Sequence, residues 1–164
     1  MKTFKQFLDE SSLSRVVSKS KKGGTAILSG SRADKSPKEN KARAKQLDKD
    51  IRGKGLGGAT KATGRYTEKD DETGKETKVK ERSHIVSSGK KGKRAFKKAI
   101  KSLGKKYGQD SVLVQKKKGT AGLTATRKGG LGDKKSVSIG KMRPGRPDKE
   151  GDTTVKKKPL SYVK

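Results

Sequence analysis

The sequence has no cysteine, no tryptophan and a single histidine, and aromatic residues make up only 4% of it. Without cysteine, disulfides and cysteine-based zinc sites are excluded. His84 has no second histidine or cysteine with which to share a metal ion, and no residue in the sequence is identifiable as its partner in general base catalysis. We therefore expect His84 to have a structural or surface role.

Long apolar runs are also missing. The longest uninterrupted ones span three residues, at 26–28 and 112–114, which is far too short for a transmembrane helix. The apolar segment at the amino terminus is too short for a secretory signal, and Asp9 and Glu10 argue against an acid-poor mitochondrial presequence. We expect no membrane partner.

Acidic residues are scarce, with 17 Asp and Glu against 46 Lys and Arg, so that the formal net charge is +29. Hydrophobic residues make up only 26% of the chain, and this composition alone is typical of poorly folded proteins. A large cationic excess predicts a polyanionic partner, with nucleic acid as the default. A membrane surface is disfavoured because no long amphipathic helix pairs a large apolar face with these cations.

Catalytic motifs are absent or out of context. Gly53, Gly55 and Gly58 match the dinucleotide-binding pattern, but a predicted helix precedes them where a strand is required. Residues 129–136 are similar to a phosphate loop, except that Asp133 stands where the motif needs lysine. The Glu-x-Glu pair of arginine-modifying ADP-ribosyltransferases does not occur. We therefore expect no enzymatic function, no cofactor and no metal site.

Periodic patterns nevertheless predict a folded region. Ser36, Pro37 and Glu39 form a capping box that begins a helix at about 37–52, and a second apolar stripe predicts a helix at 92–103 that ends at Gly104. Strands are predicted at 25–29, 60–68, 79–87, 110–115, 121–127, 136–140 and 159–163. The element order favours an α+β fold, with a small antiparallel sheet and two helices over residues 25–140. The flanking segments are predicted to be a flexible basic connector at 11–24 and a Pro/Gly/Lys-rich tail at 141–164, which has room for a terminal strand.

The first ten residues, MKTFKQFLDE, are neutral and place Met1, Phe4, Phe7 and Leu8 on one face of a short helix. The segment resembles the ten-residue capsid-targeting leader that begins the internal head proteins of T-even-type phages. The resemblance implies docking on the phage scaffold or prohead core through Phe4, Phe7 and Leu8. It also implies cleavage by the prohead maturation protease at a Leu-x-Glu site, between Glu10 and Ser11. The alternative is an ordinary amphipathic helix that docks on the core.

Together, the leader and the charge predict a phage internal head protein that is packaged with the genome by nonspecific contact with double-stranded DNA. The expected location is the virion interior, with the host cytoplasm during assembly, and later ejection into the host is left open. The residues expected to contact phosphate are Lys41, Arg43, Lys45, Arg52, Lys93, Arg94, Lys97, Lys98, Lys101, Lys105, Lys106, Lys116, Lys117 and Lys118. Two alternatives stay open: an inhibitor that binds a host protein, and a cellular RNA-binding protein whose leader match is coincidental.

Overall fold

The computed structural model describes residues 4–57, 59–70, 72–117, 119–146 and 151–163. Within these ranges the side chains at 4–11, 68, 151–152 and 163 lie outside the description. Three α-helices and nine β-strands are present in the described part of the chain. They are α1 (Phe4–Lys22), β1 (Thr25–Ser29), α2 (Pro37–Gly53), β2 (Thr60–Lys69), β3 (Glu76–Ser87), α3 (Lys93–Lys106), β4 (Ser111–Gln115), β5 (Thr120–Ala125), β6 (Gly130–Asp133), β7 (Ser136–Pro144), β8 (Gly151–Val155) and β9 (Lys158–Val163).

Eight of these strands close into an antiparallel barrel in the order β1, β3, β2, β8, β9, β7, β5, β4. Closure depends on long-range pairs, because β1 pairs with both β3 and β4, and β2 pairs with β8. A closed barrel leaves no continuous unpaired edge, which removes the main site for edge-to-edge aggregation. Side chains along each strand alternate between the inside and the outside of the barrel.

The larger hydrophobic cluster lies on the outside of β1, β3 and β4. Ala26 and Leu28 of β1 and Val112 of β4 pack there against α2 and α3. The two helices contribute their apolar stripes, which are Leu47 and Ile51 from α2 and Phe96, Ile100 and Leu103 from α3. Burial of these stripes is the main source of stability for helices whose other faces are strongly cationic.

A second cluster lies on the opposite side of the same strands, toward the barrel interior. Ile27 of β1, Ile85 of β3 and Leu160 of β9 meet there. Helix α1 contributes Leu13 and Val16 to this inner cluster. The barrel is therefore held from both faces, with α1 on the inner side and α2 and α3 on the outer side.

Helix α2 confirms the capping box. Ser36 accepts a hydrogen bond from the Glu39 backbone N–H at 3.2 Å, and the Glu39 carboxylate accepts one from the Ser36 N–H at 2.8 Å. Pro37 occupies the first turn, where its missing N–H costs no hydrogen bond. The start of this helix is therefore specified by residues within four positions of one another.

The predicted fold class is wrong. The structure is a closed barrel with three helices rather than a small sheet with two, because distant strands pair around the whole circumference. The flexible connector is also wrong, since residues 11–22 continue α1. The tail likewise forms structure, because β8 and β9 complete the barrel wall.

Gly104 does not end α3 as predicted, because the helix continues to Lys106. A Cβ atom at position 104 would lie 2.5 Å from Val112 Cγ1 and 2.7 Å from Thr126 Cγ2. Glycine is therefore needed here for the close approach of α3 to the barrel wall, and not for a change in backbone direction. Among the helices in the described ranges, none combines the length and apolarity required to cross a membrane.

Candidate functional site

A cavity of about 340 Å³ lies where α3 leaves part of the outer barrel wall uncovered. Helix α3 packs on β1 and β4, whereas the neighbouring strands β5 and β7 continue the wall beyond the helix. The volume falls in the range of sites that bind small molecules. The cavity is the candidate functional site of this protein.

Outward-facing residues of three adjacent strands form the cavity floor. Val114 of β4 pairs with Gly122 of β5, which in turn pairs with Ser138 of β7. Two residues further along each strand, Thr124 pairs with Ser136 on the same face of the sheet. The floor therefore offers one apolar side chain, an open glycine and three hydroxyl groups, which is a surface able to contact a planar ring and to hydrogen-bond a sugar.

Two glycines keep the cavity open. At Gly122, a Cβ atom would lie 3.0 Å from the carbonyl oxygen of Val137. At Gly24, between α1 and β1, a Cβ atom would lie 3.1 Å from the carbonyl oxygen of Gln115 and 3.3 Å from the ring of Phe96. Larger residues at either position would displace the cavity wall or fill its volume.

Four lysines line the cavity: Lys91 before α3, Lys93 and Lys97 on α3, and Lys116 after β4. Helix α3 begins at the N-cap residue Gly92, which makes no side-chain capping bond, and its first turn contains no acidic residue. The N-terminal end of the helix dipole adds to the positive potential. Among the described lining residues there is no Asp, Glu or His, so the cavity is cationic and has no carboxylate or imidazole base.

The predicted phosphate-contacting cations are spread over several surfaces. Three of them, Lys93, Lys97 and Lys116, meet at the cavity. The others in the described ranges are exposed on α2, on the rest of α3 or after β4, except for half-buried Arg43, and Lys118 lies outside the described residues. Their contact with nucleic acid stays a prediction.

Besides Arg52, which pairs with Asp48 on the same helix at 2.9 Å, two of these cations have structural partners that join separate elements. The Arg43 guanidinium donates to the carbonyl oxygens of Gly30 at 2.6 Å and Tyr107 at 2.7 Å. Lys106 Nζ lies 2.8 Å from the Asp50 carboxylate, which also accepts a hydrogen bond from the Tyr107 hydroxyl at 2.7 Å. Lys106 and then Tyr107 hold the pKa of Asp50 below its usual value. These contacts fasten α2 to the end of α3.

The predicted leader residues Phe4, Phe7, Leu8, Glu10 and Ser11 belong to the backbone of α1, and their side chains lie outside the description. The proposed scissile bond after Glu10 is therefore inside a helix. Cleavage at that bond stays a prediction.

His84 is buried in the barrel wall. The side chain is 3% exposed and lies on β3, facing the outer barrel surface between β1 and β2. Its Nδ1 atom has no hydrogen-bond partner, and burial lowers the pKa of the imidazole. Among the described residues, no group of three or more potential metal ligands is assembled.

The sequence did not indicate the hydroxyl groups of the cavity floor. Thr124 lies on β5, whereas Ser136 and Ser138 lie on β7. Their only sequence signal is the alternation of small polar residues in β5 and β7, which is equally typical of any solvent-facing strand. The cluster depends on the register of three strands, so local patterns do not reveal it.

A comparison with models of protein families identifies the family of this chain. The model of the S-adenosylmethionine lyase family matches residues 26–163, which begin in β1 and end with β9. The chain belongs to the S-adenosylmethionine lyase family. The match includes nearly the whole barrel, α2, α3 and most of the cavity lining, whereas α1 precedes it.

Among solved structures, this chain is similar to a phage SAM lyase in complex with S-methyl-5′-thioadenosine. The identity is 18%, the match covers 58% of this chain and 81% of the other, and the TM-score is 0.39. No curated protein matches the chain.

Family membership corrects the functional predictions. The identification as a T-even-type internal head protein is wrong, as are the proposed role in packaging DNA and both alternatives, the host-protein inhibitor and the RNA-binding protein. The expectation that the chain is not an enzyme is wrong, because the family is one of lyases. The leader resemblance is confined to ten residues, whereas the family signal extends over residues 26–163.

Proposed function

We propose that this protein is an S-adenosylmethionine lyase and that the lysine-lined cavity is its active site. The observation that carries the proposal is the family match over residues 26–163. The cavity is formed largely by this region and has the volume and the mixture of apolar and hydroxyl groups suited to a nucleoside. Ser88, Thr124, Ser136 and Ser138 would bind the ribose and the adenine edge.

The reaction breaks the bond between sulfur and the γ-carbon of the methionine part. In the simplest balanced route, an oxygen of the substrate carboxylate attacks that carbon, and the bonding electron pair leaves with sulfur. The products are S-methyl-5′-thioadenosine and homoserine lactone, and no proton has to move. The alternative is elimination, in which a base removes a β-proton and leaves a vinyl amino acid.

The cavity favours intramolecular displacement over elimination. Elimination needs a general base within hydrogen-bond reach of the substrate. The described lining residues include no carboxylate or imidazole that could take the proton, and a lysine ammonium would first have to lose a proton to act as the base. Displacement needs only a folded substrate conformation with the carboxylate held in line with the carbon–sulfur bond, which an enclosed cavity provides by orientation.

The activity is tested by incubating the purified protein with S-adenosylmethionine and following S-methyl-5′-thioadenosine by mass spectrometry. A blank without protein is required because an intramolecular reaction also proceeds uncatalysed. Experiments in ¹⁸O-labelled water distinguish displacement by the substrate carboxylate from a third route, hydrolysis, in which water attacks the γ-carbon directly. Displacement by the carboxylate leaves the γ-oxygen unlabelled, whereas hydrolysis labels it. Product formation no faster than the blank would overturn the proposed function.

The location of the site is tested by filling the cavity. Ser138 is exposed on the cavity floor, and Ser138→Phe places a ring in the nucleoside volume. Activity should fall by about 100-fold or more, because the substrate no longer fits the geometry that the reaction requires. The matched control is Ser102→Phe, since Ser102 is exposed on α3 away from the lining. Equal activity of the two variants would place the site elsewhere.

A further inference from the structure

We propose that the four cavity lysines act on the charge of the substrate sulfur, weakening the binding of the sulfonium ground state more than that of the transition state. This inference rests on the proposed function, because it assumes that S-adenosylmethionine occupies the cavity. It assigns Lys91, Lys93, Lys97 and Lys116 a role in rate and selectivity that is separate from holding the nucleoside.

The structural basis is the one-sided charge of the cavity. Lysines reach it from the loop before α3, from the first two turns of α3 and from the turn after β4. The described lining residues provide no acidic side chain to offset them. The uncapped start of α3 directs additional positive potential to the same place. An ordinary site for a cationic ligand would have the opposite composition.

The substrate carries a sulfonium, an ammonium and a carboxylate, so it is a net cation. As the carbon–sulfur bond breaks, the sulfur becomes a neutral thioether. Repulsion between the lysines and the sulfur is therefore greatest in the bound substrate, smaller in the transition state and absent in the product. An interaction that differs in this way between ground and transition states raises turnover at the expense of substrate affinity.

The sign of the effect distinguishes this role from carboxylate binding. If the lysines act on sulfur, removing their charge should tighten substrate binding and slow turnover, so that KM and kcat both fall. If they mainly hold the substrate carboxylate, removing them should weaken binding and raise KM. The two roles predict opposite changes in KM.

The test is the double variant Lys93→Gln/Lys97→Gln, which keeps the polarity and most of the length of both side chains. We expect KM for S-adenosylmethionine to fall by about 3- to 10-fold and kcat by about 2- to 3-fold, as for interactions between partly exposed charges. The matched control is Lys38→Gln, which removes one cation from the exposed start of α2, away from the cavity. The control should change neither constant. A raised KM, or unchanged constants, in the double variant would overturn the inference.

A binding measurement separates this inference from the proposed function. By calorimetry, the wild-type protein should bind neutral-sulfur S-adenosylhomocysteine more tightly than S-adenosylmethionine, and the difference should shrink in the double variant and at high salt. If no lyase activity is found but this difference is present, the charge selectivity stands and the proposed reaction fails. If both ligands bind equally, or neither binds, the inference fails even if the protein is active.

Discussion

The two ends of helix α3 use their cations in opposite ways. At the C-terminal end, Lys106 pairs with Asp50 at 2.8 Å, and Tyr107 and Arg43 complete a network that joins α3 to α2. At the N-terminal end, Lys93 and Lys97 line a cavity whose described lining includes no acidic residue. Among the described residues, a carboxylate from α2 meets the C-terminal end of α3, whereas no acidic residue lines the cavity at the N-terminal end.

The difference shows why the net charge was misleading. A charge of +29 predicts a polyanionic partner when it is treated as an average property. In the structure, individual cations have different environments. Arg43 donates to a carbonyl oxygen and lies over the Tyr107 ring, Lys106 pairs with a carboxylate, and Lys93 lines the cavity. The position of a lysine relative to the scarce acids therefore says more about its function than the total charge does.

The largest expected effect comes from Gly104, in the last turn of α3. Gly104→Ala should lower the free energy of unfolding by about 2–4 kcal/mol, because the new methyl group overlaps Val112 and Thr126 in a closely packed region. For a chain of this length, we expect the Tm to fall by roughly 5–15 °C. Thermal unfolding followed by circular dichroism measures the shift.

The control for this variant is Gly53→Ala. Gly53 ends α2, and no atom lies within 4 Å of the position that an alanine methyl group would take, so alanine should fit without strain. Its Tm should be unchanged or slightly higher because alanine favours the helix. Similar losses of stability in both variants would show that Gly104 is not a close-packing position.

The next effect concerns the network at the C-terminal end. Asp50→Asn removes the ion pair with Lys106 and weakens the bond from Tyr107, so we expect a loss of about 1–2 kcal/mol in unfolding free energy at pH 7. Because the folded-state pKa of Asp50 lies below its ordinary value of 3.8, this contribution is complete above that pH. It is lost as the pH falls through the lowered pKa.

Urea unfolding of the wild type and of the Asp50→Asn variant at pH 7 and at about pH 3 measures this dependence. The difference between the two proteins should shrink at the lower pH, because the unfolded wild-type chain then binds a proton at this carboxyl group. Asp34→Asn is the control, because Asp34 pairs with Arg32 on the surface and exposed pairs contribute little. A difference for Asp50 that is independent of pH would contradict the role of its charge.

The parts of the fold that could be predicted are those specified by nearby residues. The capping box at Ser36 starts α2 as expected, and β1 occupies 25–29 as predicted. Barrel closure could not be predicted, because it depends on β8, which pairs with the distant strand β2 and comes from the segment interpreted as a Pro/Gly/Lys-rich tail. Gly104 was misinterpreted because a helix-ending glycine and a close-packing glycine look the same in sequence.

The sequence predicted three of the cationic residues of the candidate site but not their arrangement around a cavity. Lys93, Lys97 and Lys116 stood out as cations, but no local pattern separates them from the rest of the basic surface. What distinguishes these lysines from the other cations is that they line the cavity, which exists because α3 leaves β5 and β7 uncovered. The N-terminal leader resemblance was a local pattern of the same kind as the capping box, but no comparison with the whole chain supported it.

The smallest expected effect is also the most direct comparison of the two ends, because one substitution can be made at both. Lys106→Gln should lower the Tm by about 1–3 °C, since it leaves Asp50 with Tyr107 but without its cation. Lys97→Gln should leave the Tm unchanged or raise it, because it relieves repulsion among the cavity lysines. Thermal unfolding at low and high salt measures both, and high salt should reduce the difference. A loss of stability in Lys97→Gln equal to that in Lys106→Gln would mean that the cavity lysines also hold the fold together, and the contrast between the two ends of α3 would fail.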